Sequence, residues 1–220
     1  MLFAIDGACK RNGEPTCVSV GVAWYITDDG DMGFKSKFEH ESTSQRGELN
    51  GLTEALEFAA EHALDDEDII IVTDSEYMFN TIALEWWSKW RANCWYGAQG
   101  DIVKNVDMWK HVAELMDKLA AKHCEVSMQW TKGHLVHYTP GNIKKAMEVD
   151  PTGVELYTRI AAVANRPADI GRIVQQFKEE RVKHKHMAPP DAIALEWAIV
   201  NATADALASY IVKIFDDVLI

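Results

Sequence analysis

Cysteine is scarce in this 220-residue chain. Cys9, Cys17, Cys94 and Cys124 are the only four, and no two have CxxC spacing. That argues against a disulfide framework and against a four-cysteine zinc site, and the expectation is reduced thiols in a cytoplasmic protein. No uninterrupted apolar run approaches the roughly 18 residues needed to span a bilayer, so no membrane partner is expected. Met1-Leu-Phe-Ala-Ile-Asp6 has no basic segment ahead of its apolar residues, and a signal peptide is not expected either. Positive charge is also short: 22 Lys and Arg stand against 34 Asp and Glu, a net of −12. Generic coating of nucleic acid rests on a basic surface, and this chain lacks one overall. No organic cofactor is expected, and the chain is read as a monomer.

What is there is a buried-strand signal ending in an acid. Ile69-Ile-Ile-Val-Thr-Asp74 places four β-branched apolar residues in a row after an acidic stretch, as a central strand covered on both faces would. Asp74 then arrives at the carboxyl end of the sheet, where open α/β sheets place their ligands. A carboxylate delivered from a dry strand needs a partner, a hydrogen bond or a metal.

Residues 2–8 read as another apolar strand broken by one acid, Asp6. Segments 17–27 and 32–38 read as strands joined by Asp28-Asp29-Gly30-Asp31, a hairpin signal. Residues 44–62 carry apolar residues at helical spacing, with Ser44 as the expected N-cap and Glu48 one turn before Leu52. Helices are expected over 76–92 and 105–123, with a fifth strand at 125–130. Trp86, Trp87, Trp90 and Trp95 fall at near-helical spacing, so most are expected in the core and one or two on the surface. The pattern is α/β with a five-stranded mixed sheet flanked by helices.

Beyond residue 137 the composition shifts. Residues 138–190 hold nine Lys and Arg against six Asp and Glu, and form the one net-basic stretch. It reads as a helical insertion of two helices, about 152–165 and 168–186. The division is therefore a domain of residues 1–137 plus 191–220, interrupted by 138–190. Residues 191–220 read as one long apolar helix whose only charge between Trp197 and Val212 is Asp205.

Asp6, Glu48, Asp74 and Asp205 thus each interrupt an apolar context. Convergence of four carboxylates without a cation would force some of them to stay protonated. Oxygen donors suit Mg²⁺ or Mn²⁺, and two such ions can clamp the attacking and leaving oxygens of a phosphoryl displacement.

Five stretches in order carry a specific resemblance: Phe3-Ala-Ile-Asp6 through Asn12, Thr43-Ser-Gln-Arg-Gly-Glu48, Val72-Thr-Asp74-Ser-Glu-Tyr77, Trp130-Thr-Lys-Gly-His134 and Asn201-Ala-Thr-Ala-Asp205. Together they resemble the type 1 ribonuclease H family. The resemblance implies the ribonuclease H-like fold and hydrolysis of the RNA strand of an RNA–DNA hybrid, leaving 3′-hydroxyl and 5′-phosphate ends. It implies that Asp6, Glu48, Asp74 and Asp205 ligate two Mg²⁺, with Mn²⁺ able to substitute. His134 would assist proton movement or product release. Asn12, Thr43, Ser44, Gln45 and Arg46 would lie along the hybrid, and Trp86, Lys89, Trp90 and Arg91 would fall in the family's hybrid-gripping handle.

Several departures stand out. Ser44-Gln45 replaces the family's paired asparagines, and Glu76 adds a negative charge beside Asp74. The handle is poor in cations, and 71 residues separate His134 from Asp205. The cations at 178–186 in the insertion are expected to supply the missing phosphate contacts or to form a lid. Two other readings stay open on the residues alone: a non-catalytic hybrid- or protein-binding module, and a same-fold DNA nuclease such as a junction resolvase.

Overall fold

The computed structural model describes residues 1–218; positions 219 and 220, expected to end the long last helix, lie outside the described residues. Five strands, β1 (Leu2–Lys10), β2 (Val18–Ile26), β3 (Met32–His40), β4 (Ile69–Thr73) and β5 (Val126–Trp130), form one mixed sheet in the order β3-β2-β1-β4-β5. The first three are antiparallel neighbours, while β1, β4 and β5 run parallel. Ala4 pairs with Val72, so Asp6 and Asp74 both stand two residues further on, at the same level of the sheet. The buried run at 69–73 is thus central by position as well as by composition.

Alternation along β1 sorts its side chains between two cores. Phe3 and Ile5 join α1 (Ser44–His62) and α4 (Val106–Ala121) on one face, through Leu49, Leu52, Leu56, Trp109 and Leu119. Ala4 faces the other side, which is closed by α8 (Asp191–Val218) together with α5 (Pro140–Val149), α6 (Val154–Ala164) and α7 (Pro167–Lys183). By length and composition α8 would pass for a membrane span, contrary to the expectation of no such segment. Its apolar residues, from Ala194 through Val200, Leu207 and Val212, are instead buried against the sheet.

Residues 138–190 hold three helices where two were expected, α5 being the addition, capped by the Thr139 side chain with Pro140 in the first turn. Ile143, Leu156, Ile160 and Phe177 share one core with Trp24, Val20 and Leu207. The segment between β5 and α8 is therefore part of the packed molecule and not a free lobe. Removing it would strip the cover from a face of the sheet.

Two further expectations are corrected. Thr43, not Ser44, caps α1, its hydroxyl accepting from the Arg46 N–H at 3.2 Å. The helix expected over 76–92 breaks into α2 (Glu76–Ala83) and α3 (Trp86–Ala92), because Glu85 takes a left-handed conformation at φ 53°. That turn swings α3 away from the sheet. Trp86, Trp87, Trp90 and Trp95 are all half-buried as a result, and the core tryptophans are Trp24, Trp109, Trp130 and Trp197. All four cysteines are free; Cys9 and Cys17 face each other with sulfurs 2.9 Å apart.

α1 crosses β1 and β2 at backbone contact. Gly7 and Gly21 are cross-strand partners, and a Cβ on either would overlap the α1 backbone at Glu48 or Gly51. Glu48 reaches the sheet because these two glycines let the helix settle this low. A Gly21→Ala variant is expected to lose about 1–3 kcal/mol in urea-induced unfolding, since the clash is with main chain and not with a yielding side chain.

Candidate active site

Asp6, Glu48 and Asp74 converge: one carboxylate oxygen of each lies within 4.8 Å of the others. β1 delivers Asp6 from inside the sheet, α1 delivers Glu48 across Gly7, and the end of β4 delivers Asp74. Burial, then the neighbouring Asp74 and Asp205 charges, hold the Asp6 carboxyl well above the usual carboxylate range. Glu48 is raised the same way, by burial first and then by Asp6 and Asp74. Burial raises Asp74 too, opposed by a hydrogen bond from the Asn201 side chain and by His134.

Asp205 supplies the fourth acid. It is half-buried on α8, its charge acts on all three of the others, and its Oδ2 accepts a hydrogen bond from His134 Nδ1 at 3.0 Å. His134 is 73% exposed on the loop after β5, with φ 59°, while the Asp205 side chain is 28% exposed. Gly133 lies against Asp74, where a Cβ would collide with the carboxylate, so the loop hugs the acid cluster. All five residues singled out for chemistry therefore meet at one end of the sheet, although 71 residues separate His134 from Asp205.

The arrangement fits hard divalent cations. Its donors are all oxygens, the charges are alike, and the buried Glu48 Oε2 has no hydrogen-bond partner among the described residues. Asn201, one turn before Asp205, was not among the expected site residues. Its Oδ1 is buried and has no partner among the described residues, while its side chain, beside Asp74, opposes the rise in that acid's pKa. The i, i+4 spacing to Asp205 on an apolar helix is the signal that could have found it.

The expected substrate residues sort into two groups. Asn12 reaches Ser44, accepting from its N–H at 3.3 Å and donating to its hydroxyl at 3.4 Å. Thr43 and Gln45 are exposed at the start of α1, whose first turn carries no acid. Gln45, Tyr77, Trp90 and Lys104 line an open groove of about 400 Å³ between α1 and α3. Trp86 stands beside Trp90, their rings 6.4 Å apart. Arg46, by contrast, is held by Glu39 at 2.7 Å and Asp107 at 3.1 Å, which stabilise its charge. Lys89 donates to the Leu84 carbonyl and Arg91 pairs with Asp117.

Several of the cations expected to serve phosphate from 178–186 are engaged by neighbours, while Lys185 is exposed. Arg181 is buried, Lys178 pairs with Asp191, Lys183 with Glu180, and His184 with Glu76 at 2.7 Å. Glu76 thus has the His184 imidazole, at the end of α7, as its neighbour.

Fold and site define the class first: an α/β protein whose mixed sheet gathers an all-oxygen carboxylate centre. The family model described as RNase H matches residues 1–148. Ribonuclease H of Pseudomonas savastanoi pv. phaseolicola is 31% identical over 150 residues, 68% of this chain and 89% of that relative. Ribonuclease H of Granulibacter bethesdensis is 33% identical over 129 residues, 59% of this chain and 77% of that one. The solution structure of the PFV RNase H domain superposes with a TM-score of 0.50 at 18% identity, covering 71% of this chain and 94% of that domain. This chain belongs to the ribonuclease H family. The family match stops at residue 148, before α8, so Asp205 lies outside it, and its place beside the cluster rests on the His134 hydrogen bond and on its charge effect at Asp6, Glu48 and Asp74.

Linkage fixes how the metal-free protein responds to pH. An acid whose folded pKa is raised binds its proton more tightly when folded, so its stabilising effect is full below the unfolded pKa of about 4 and lost as pH rises through the raised values. Asp6→Asn is therefore expected to melt higher than wild type without metal, by a margin that grows from about pH 4 toward neutrality. Saturating Mg²⁺ should reverse the order, adding roughly 2.7 kcal/mol to wild type at a hundredfold excess over Kd and much less to the variant. Thermal melts across pH, with chelator and with Mg²⁺, check both.

Proposed function

We propose that this chain is an endoribonuclease that hydrolyses the RNA strand of RNA–DNA hybrids, leaving 3′-hydroxyl and 5′-phosphate ends. The observation that carries the reading is the meeting of Asp6, Glu48 and Asp74 around a buried Glu48 oxygen without a partner among the described residues, with the Asp205 charge and His134 beside them. These four acids would hold two Mg²⁺, with Mn²⁺ as a substitute. Such a pair supplies Lewis-acid stabilisation at the attacking and leaving oxygens of an in-line displacement.

The chain's own residues then have separable tasks. Asn12, Thr43, Ser44 and Gln45 stand at the open N-terminus of α1, where backbone N–H groups and the helix dipole favour a phosphate. The groove from Gln45 to Trp90 and Lys104 takes the hybrid's second strand. Recognition goes through backbone shape and 2′-hydroxyls, so no base sequence need be read. Glu48 accepts from the attacking water or from the neighbouring 2′-hydroxyl. A bond forms from the water oxygen to phosphorus, the bond to the 3′-oxygen breaks, and that oxygen leaves with a proton. His134 moves that proton: Asp205 fixes its Nδ1–H, leaving Nε2 free to give or take one.

The acid excess shapes binding. With Arg46, Lys89 and Arg91 engaged by neighbours, few cations remain to meet phosphates, and Lys104 is one that lines the groove.

Labelled hybrid, duplex DNA and duplex RNA, each with and without Mg²⁺, test the activity. Cleavage confined to the RNA strand of the hybrid in Mg²⁺ is expected, with Asp74→Asn lowering kcat by at least about 10²-fold while the protein stays folded. Cleavage of duplex DNA instead, or hybrid binding without cleavage, would overturn the reading. Lys104→Gln is expected to raise KM with kcat unchanged and to reduce the slope of log KM against log salt by about one.

A further inference from the structure

Arg181 of α7 is only 5% exposed, and among the described residues no carboxylate pairs with it. Burying a guanidinium without an acid is costly, and an apolar side chain of similar size would fill the space at less cost. What the arginine provides instead is its fork of donors. One arm reaches the carbonyl of Trp130, the last residue of β5; Nε donates to Met187 O at 2.7 Å, and the other arm reaches Gln129 Oε1 at 3.4 Å. Phe177 and Trp197 line the guanidinium at 5.9 and 5.4 Å.

Nine residues earlier on the same helix, about 13 Å along its axis, Arg172 donates to the carbonyl of Leu135 at 3.4 Å. Trp130 and Leu135 flank residues 131–134, the part of the loop that carries Gly133 and His134. The grip extends to the neighbouring strand end. Trp130 donates its indole N–H to the Asp74 carbonyl at 3.1 Å, and its ring lies 4.5 Å from that of His184, which pairs with Glu76. An exposed histidine in a left-handed turn has little else to hold it besides Asp205.

We propose that α7 is a brace whose Arg172 and Arg181 act as positioning residues, fixing both ends of the 131–134 loop so that His134 stays against Asp205 and the scissile phosphate. The proposal rests on His134 acting in the hybrid hydrolysis described above. It gives the segment between β5 and α8 a task in catalysis besides covering the sheet. The arginines touch neither substrate nor the carboxylate cluster, so their effect runs through the loop.

The test measures kcat and KM on a labelled hybrid for Arg172→Met with Arg181→Met, in the native background and in His134→Ala, alongside amide hydrogen exchange of the loop. In the native background kcat should fall about tenfold with KM nearly unchanged. With His134→Ala already present, the same pair should cost less than about twofold, because coupled residues are not additive. Exchange over 131–135 should quicken while that of β1 stays unchanged. An equal fall in kcat in both backgrounds, or unchanged exchange, would overturn the brace while leaving the nuclease reading intact. Failure of the native protein to cleave hybrid would defeat the nuclease reading itself, and a His134→Ala variant with full kcat would defeat both the role of His134 and the brace. Should Arg181→Met not fold, Arg172→Met, at an exposed position, carries the same comparison alone, with a fall of about threefold expected natively and none beside His134→Ala.

Discussion

Like charges held close together and half-buried repel one another, and the whole architecture holds Asp6, Glu48 and Asp74 together in spite of that. Each is pinned by something rigid: a central strand, a helix lying on two glycines, and a strand end tied through Trp130. None can withdraw without moving a core element. The tension is relieved by protons or by cations, and at neutral pH oxygen donors of this kind favour hard divalent ions. Stability, chemistry and metal affinity are therefore different faces of one arrangement.

That arrangement also accounts for the form of the rest of the chain. α8 buries one long apolar face so that a single acid can stand among small residues opposite Asp6. α5 to α7 complete the core beneath it, and α7 turns Arg172 and Arg181 to the carbonyls of Leu135 and Trp130, which flank residues 131–134. A basic stretch in a sequence is usually taken as a surface for anions. Here Arg172 and Arg181 of that stretch serve as structural donors, because carbonyl oxygens at strand ends and in loops need partners as much as phosphates do.

Much of the site is legible in the sequence. Asp6, Asp74 and Asp205 each break an apolar run, and Glu48 sits on the apolar face of its helix, which is the pattern of acids kept for a purpose. The succession of strands, the hairpin and the long last helix follow from period and turn residues. Other features are not legible there. The break at Glu85 and the half-burial of Trp86, Trp87, Trp90 and Trp95 depend on a single left-handed residue that periodicity cannot see. The pairing of Arg46 with Glu39 and Asp107 joins residues up to 61 positions apart.

The linear order of residues was sufficient to settle the kind of sheet, the acids that interrupt it and the family they belong to, because periodicity and local composition are written along the chain. Tertiary structure alone decided that His134 meets the Asp205 carboxylate across the segment 138–190, and that Arg181 looks inward and not out to a phosphate. Those two facts depend on which surfaces meet, and contacts between distant segments leave no trace in local spacing.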